Sequence, residues 1–279
     1  MKRLLISEAM GKSSYTAITV ERRGAADWVT LNRPDRLNAL DHAMVEDLLD
    51  YFGSAVEDTA RRVIVLRGAG RAFCAGVDIK ETTIARHKDA VEGLTEQRRF
   101  SEIIRRMRRC PQPVIALVHG PASGGGFSIA LAADVRIAGE TARMNAAFIR
   151  IGFSGSDMGS SYFLPRLVGL SVASELLLTG RFVDAERALR IGLVSEVVAD
   201  ARLEAAGQAL VDDMLATSPL GLRVTKEALN ANVNASLDDA IALEDRNQIL
   251  CAMGDDVREG LQAFIEKRRP RFGASPTGS

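Results

Sequence analysis

Short β-branched runs that alternate with helix-patterned segments constrain this chain most. Residues 28–32 (WVTLN), 62–68 (RVIVLRG), 113–120 (PVIALVHG) and 134–139 (DVRIAG) are brief, apolar and bounded by turn residues, the pattern of buried strands. Between the first two, residues 41–60 repeat Met44, Leu48, Leu49, Phe52 and Val56 at helical spacing, with Asp41 placed to cap the helix. Residues 96–109 predict another helix, which Pro111 and Pro113 stop before the next strand. A strand that returns to the sheet through a helix runs parallel to its neighbour, so the first two thirds predict an α/β fold with a substantially parallel sheet. Past residue 200 the strand signals cease. Residues 201–218, 219–234, 236–254 and 255–270 read as successive helices, the second opened by Pro219, the third capped by Ser236 and the fourth begun near Asp255. With no sheet of their own, their apolar sides must pack on the first region or on another subunit. Residues 271–279 are expected to fray.

The chain has 279 residues, 47% of them apolar, enough to bury roughly three quarters of its unfolded surface. Its 36 acids balance 36 bases, which argues against nucleic acid or an anionic membrane as partner. Arg98, Arg99, Arg105, Arg106, Arg108 and Arg109 cannot share one narrow helix face, and read as hydrated surface or intersubunit salt bridges. Cys74, Cys110 and Cys251 are too widely spaced for a zinc pattern or a disulfide framework, which favours a reducing cytoplasm. Residues 1–14 make a poor secretory leader, and no apolar stretch approaches the 18 residues of a membrane span.

The stretch GPASGGGFSIALAADVRIAG, residues 120–139, sets three glycines before a helix-like run. Two readings are open to the triplet. It can bring a helix close to a strand, or it can turn backbone N–H groups toward a ligand.

LNRPDRLNAL (31–40), GAGRAFCAGVDIKE (68–81), PVIALVHGPASGGGFSIALAADVRIAG (113–139) and LTGRFVDAERALRIGLVSEVV (178–198) together resemble the enoyl-CoA hydratase/isomerase family, the crotonases, in order and spacing. The resemblance runs from about residue 15 to about residue 270. It implies a crotonase-like spiral of ββα units over residues 15–198, an acyl-CoA-binding core, and a helical C-terminal oligomerisation region over residues 199–270. It also implies a homotrimer or a dimer of trimers, and activities of the isomerase and lyase kind in fatty acid metabolism. Coenzyme A enters as part of the acyl thioester substrate, with no redox or metal cofactor. By motif position, the backbone amides of Val77 and Gly125 match the oxyanion hole, where fixed donors stabilise charge developing on a thioester oxygen. Ala75, Lys80 and Arg36 match the coenzyme A path, and Phe264 and Lys267 match residues that a neighbouring subunit lends to it. Lysine and arginine at such positions are equally at home as solvated surface charge.

The resemblance breaks at the two glutamates that a typical hydratase places around the double bond. Ser128 stands at one position and Phe148 at the other, and neither supplies a carboxylate. Asp157, aligned from the following LPRLVG, matches the proton-transfer aspartate of dienoyl-CoA isomerases and the nucleophile of 4-chlorobenzoyl-CoA dehalogenases. Ser101 stands where the dehalogenase has its histidine, and His87, His42 and His119 lie elsewhere in the chain. Asp157 has two roles open to it, cap of a helix starting near Met158 or proton-transfer group. Met144, Phe148, Ile149, Phe153, Tyr162 and Ser128 are expected to line an acyl pocket or to pack the core. The function implied is an enzyme acting on an acyl-CoA thioester, preferably through isomerase-type enolate stabilisation and proton transfer. The alternative is a catalytically reduced acyl-CoA binding or assembly protein.

Overall fold

A computed structural model describes residues 14–81 and 88–273. His87, nearly all of residues 1–14 and most of the expected frayed end lie outside the described residues. The strands are β1 (Ile18–Arg23), β2 (Ala26–Leu31), β3 (Val63–Gly68), β4 (Val114–Val118), β5 (Pro121–Ser123), β6 (Val135–Gly139), β7 (Arg143–Asn145), β8 (Val183–Asp184) and β9 (Glu196–Val198). The helices are α1 (His42–Ser54), α2 (Ala90–Arg109), α3 (Gly125–Ala132), α4 (Ser160–Val168), α5 (Leu170–Thr179), α6 (Ala185–Arg190), α7 (Leu203–Leu215), α8 (Pro219–Asn232), α9 (Leu237–Ala252) and α10 (Asp255–Ile265).

The main sheet runs β1-β2-β3-β4-β6-β9, with β1–β2 antiparallel and the other four pairings parallel. A strand alternates its side chains between two faces, and both faces here are apolar, as expected of a parallel sheet covered on both sides. Ile64 and Leu66 of β3 join the larger core with α1, α2 and α3, while Val63 and Val65 join Trp28, Ile115 and Leu117 beneath Leu203 and Val211 of α7. Thus the first helix of the C-terminal series covers the sheet. A second, small sheet of β5-β7-β8 lies beside the first and aligns Ala122 with Met144.

Caps follow the local chemistry. Asp41 accepts the Met44 amide at 2.8 Å, Ser218 and Ser236 cap α8 and α9, and Pro219 opens α8. Two expectations need correction. The first helix stops at Ser54, whose hydroxyl bonds back to the Tyr51 carbonyl at 2.9 Å, so Val56 lies past its end and is 47% exposed. The second begins at Ala90 because Asp89 accepts the Val91 and Glu92 amides. Several of its arginines find partners within the chain: Arg99 pairs with Glu46, Arg106 with Glu102, and Arg108 with Asp134.

A buried cation ties α8 to the core. Lys226 donates to the carbonyls of Met107 and Gln112 and pairs with Asp134 at 2.8 Å. Among the described residues no helix is long and apolar enough to cross a membrane.

Candidate active site

The candidate site forms where two chain segments meet. Leu40 bridges to Val77: its amide donates to the Gly76 carbonyl at 2.7 Å, and its carbonyl accepts the Asp78 amide at 2.9 Å. In a parallel ladder the residue between those two partners directs its own amide the other way, so the Val77 N–H faces away from Leu40. Asn38 anchors this arrangement. Fully buried and at φ +56°, it donates through Nδ2 to the carbonyls of Ala69 at 2.9 Å, Ala72 at 2.8 Å and Phe73 at 3.3 Å. Arg33 adds ion pairs to Asp41 and Asp78, each at 3.2 Å.

From the other side β5 ends at Ser123, and the glycine triplet starts α3 at Gly125. The first amides of a helix have no partner within it. Among the described residues neither the Val77 nor the Gly125 amide donates to a backbone carbonyl outside a helix or strand. The segments touch closely: a Cβ on Gly125 would lie 3.0 Å from Leu40 Cδ1, 3.2 Å from Met158 Sδ and 3.7 Å from Val77 Cγ2. Gly76, at φ +98°, passes so near Ser123 that a Cβ there would sit 2.7 Å from its carbonyl oxygen.

Met158 belongs to the turn that carries Asp157, and that turn is docked on α3. The Ser128 hydroxyl donates to the Asp157 carbonyl at 3.0 Å, and the Asp157 amide donates to Ser160 Oγ at 3.0 Å. Met158 takes a left-handed φ of +47°, a strained conformation for a side-chain-bearing residue, and is held there by near-complete burial. Its amide donates to Asp157 Oδ1 at 2.7 Å. The helix itself starts later, at Ser160, with Gly159 as its N-cap residue, so Asp157 braces the preceding turn and is not the N-cap residue. Gln97 of α2 was not anticipated. Its Nε2 donates to the same Oδ1 at 2.5 Å. The clue was present, since Gln97 precedes the buried Phe100, Ile104 and Met107 at helical spacing.

Burial pushes the Asp157 carboxyl up, and the Met158 amide and the Gln97 side chain pull it partly back. Cys74 also abuts the glycine turn, but burial drives its thiol to about 12, which keeps it protonated. Of the described histidines, His42 is exposed at the start of α1, and His119 Nε2 meets the Gly70 carbonyl at 2.8 Å.

The remaining predicted residues are spread more widely. Ser128 and Met144 are fully buried, and the Phe148 ring lies against Gly124. Ile149 packs beside Gly180, and Phe153 is 44% exposed. Tyr162 turns elsewhere, with its ring 3.8 Å from the Arg166 guanidinium and its hydroxyl accepting from Asn234. Ala75 is half-buried and its amide donates to the Leu37 carbonyl, while Lys80 is exposed and Arg36 sits at 3.8 Å from Glu81. Phe264 and Lys267 are exposed at the far end of α10. Among the described residues no cluster of three or more His, Cys, Asp or Glu side chains is placed to hold a metal ion.

A mostly parallel main sheet, with the glycine turn at the start of α3 packed against the Val77 segment and against Met158, sets the class, and the enoyl-CoA hydratase/isomerase family model matches residues 21–275. The chain belongs to this family. It is 38% identical over 271 residues to the Mycobacterium bovis protein named "Probable enoyl-CoA hydratase echA12", covering 94% of each chain. It is 35% identical to the 1,2-epoxyphenylacetyl-CoA isomerase of Escherichia coli, covering 88% of this chain and 93% of that one. The crystal structure of enoyl-CoA hydratase from Bacillus anthracis superimposes with a TM-score of 0.88 at 32% identity, covering 93% of this chain and 100% of that one.

Proposed function

We propose that the protein isomerises an acyl-CoA thioester by moving one proton between carbons through Asp157. The observation that carries this reading is the docking of the Asp157 turn on the first turn of α3, where Ser128 holds the Asp157 carbonyl and Met158 lies against Gly125. In the proposed reaction Asp157 takes a proton from a carbon activated by the thioester. The electron pair moves to the carbonyl oxygen, which the two amides stabilise, each worth about 3 kcal/mol. The proton then returns to a carbon further along the conjugated chain, the double bond shifts, and no atom is gained or lost.

Hydration makes a different demand. It needs one group to activate water and a second to protonate the α-carbon, whereas Ser128 and Phe148 stand at the family's glutamate positions without a carboxylate. One carboxylate is enough for a proton shuttle. The similarity to the 1,2-epoxyphenylacetyl-CoA isomerase of Escherichia coli agrees with this choice, as does the raised Asp157 carboxyl. Ala75, Lys80 and Arg36 are proposed to follow the coenzyme A moiety. Met144, Phe148, Ile149 and Phe153 are proposed to bound the acyl group.

The test is α-proton exchange in deuterated water, followed by NMR across enoyl-, dienoyl- and aromatic CoA thioesters. Exchange and double-bond migration are expected with at least one of them. Binding without either would instead favour a catalytically reduced acyl-CoA protein. The pH dependence has a definite sign. Asp157 must start ionised, and burial raises its pKa, so kcat/KM should fall on acidification with a midpoint above the usual carboxylate range of about 4.

We further propose that α8, α9 and α10 form an assembly surface within residues 199–270, completing a trimer or a dimer of trimers. Leu237, Met253, Phe264 and Ile265 are 73–83% exposed on a single chain, a heavy apolar exposure for an isolated surface. A groove of about 930 Å³ also runs between these helices, lined by Val224, Leu229, Val233 and Leu261. Light scattering at low protein concentration should give a mass of three or six chains. A stable monomer would rule the assembly out.

A further inference from the structure

We propose that Gln97 is a positioning residue for Asp157, holding Oδ1 so that Oδ2 is the oxygen that exchanges the proton. The inference rests on the reading of Asp157 as the proton-transfer group. Both side-chain hydrogen bonds to the carboxylate, from Gln97 Nε2 at 2.5 Å and from the Met158 amide at 2.7 Å, fall on Oδ1. Two donors from different elements fix the plane of the carboxylate, and neither engages Oδ2. The Met158 amide is covalently part of the turn, so it travels with Asp157. Gln97 comes from α2, sixty residues away in sequence, and is the contact that sets the carboxylate against the rest of the fold.

The side-chain amide also suits both protonation states. Facing the anion, it donates through nitrogen. When Oδ2 carries the proton, Oδ1 remains a carbonyl oxygen that still accepts from the same nitrogen. A proton taken from the substrate carbon onto Oδ2 therefore leaves Asp157 with a partner throughout, and the proton returns to the substrate from the same oxygen.

Few charges compete with this contact. α3 contains no ionisable residue, and the turn from Met158 to Ser160 adds none. On α2 the ionisable neighbours of Gln97 are Glu96, Arg98 and Arg99, of which Arg99 pairs with Glu46 of α1. Burial raises the Asp157 carboxyl, and the Met158 amide and Gln97 are the two contacts that oppose that rise.

The experiment labels aspartate carboxyl carbons with ¹³C in the full chain, assigns Asp157 by its loss in Asp157→Asn, and titrates without substrate. Gln97→Leu removes the donor and should raise the Asp157 midpoint by about one unit. Gln97→Glu adds a like charge, and the upper midpoint of the coupled pair should rise by about two units. The acid limb of kcat/KM should move upward by the same amounts, with thermal melting confirming that each variant folds. A midpoint unmoved in both variants overturns the proposal whether or not the protein turns over substrate. If the midpoint moves as expected but no proton exchange depends on Asp157, the positioning contact stands and the isomerase reading falls.

Discussion

Asp157→Asn is expected to lower α-proton exchange by about a thousandfold while leaving CoA-thioester affinity within about twofold of the parent. Asparagine has nearly the same shape, and its oxygen can still accept from the Met158 amide and from Gln97. What it lacks is a proton-accepting oxygen. A loss of turnover without loss of binding is therefore the signature of a proton-transfer role. Equal loss of both would mark a structural one, in keeping with the bracing bonds of this turn.

Stability should move in the opposite direction. The folded state raises the Asp157 pKa above its unfolded value. Such a group contributes stability that is fully present below the unfolded pKa and lost as pH rises through the folded pKa. At neutral pH the parent carries the cost of an ionised, partly buried carboxylate, and the asparagine variant does not. The variant should melt higher than the parent at about pH 7 and close to it at about pH 3. An unchanged rate together with an unchanged melting difference would remove Asp157 from the mechanism.

Gly126→Ala is the second large effect, an expected loss of about 3 kcal/mol with collapse of thioester binding. A Cβ at this position would lie 2.1 Å from the Cys74 carbonyl oxygen and 2.7 Å from Cys74 Cβ. That carbonyl cannot retreat easily, since it accepts the Ser123 amide at 2.9 Å and Cys74 is fully buried. The clash would part α3 from the segment leading to Val77, and with it the two amides. Gly152→Ala is the matching control. Gly152 has a positive φ of +92° but nothing within 4 Å of an added Cβ, so only backbone strain of about 1 kcal/mol is expected. Chemical denaturation of the two variants separates steric collision from conformational preference. Similar losses in both would mean that α3 moves freely against Cys74.

Much of the fold was legible because its signals are local. Alternating β-branched runs marked β2, β3, β4 and β6, and Asp41, Pro219 and Ser236 marked helix starts through side-chain chemistry that acts within one turn. The first strand, β1, escaped this reading. Its sequence ITVERR buries little, and it is held by backbone pairing to β2 across a hairpin at Gly24. The short strands β5, β7 and β8 were also illegible, since two or three residues carry no periodicity and exist only through their partners.

By itself, the sequence determined the parallel sheet, the helical C-terminal third and the family motifs containing Val77 and Gly125, with Asp157 singled out by the LPRLVG that follows it. Each is written in spacing, in turn residues or in the order of motifs along the chain. Tertiary structure alone decided which of these residues meet. Leu40 pairs with the Val77 segment and brings it against Gly125 at the start of α3, and Met158 seals the junction from a turn more than thirty residues further on. Gln97 reaches Asp157 only because the apolar face of α2 packs into the core and carries it there. Such contacts depend on how whole elements pack, and the residues themselves encode only the surfaces that do the packing.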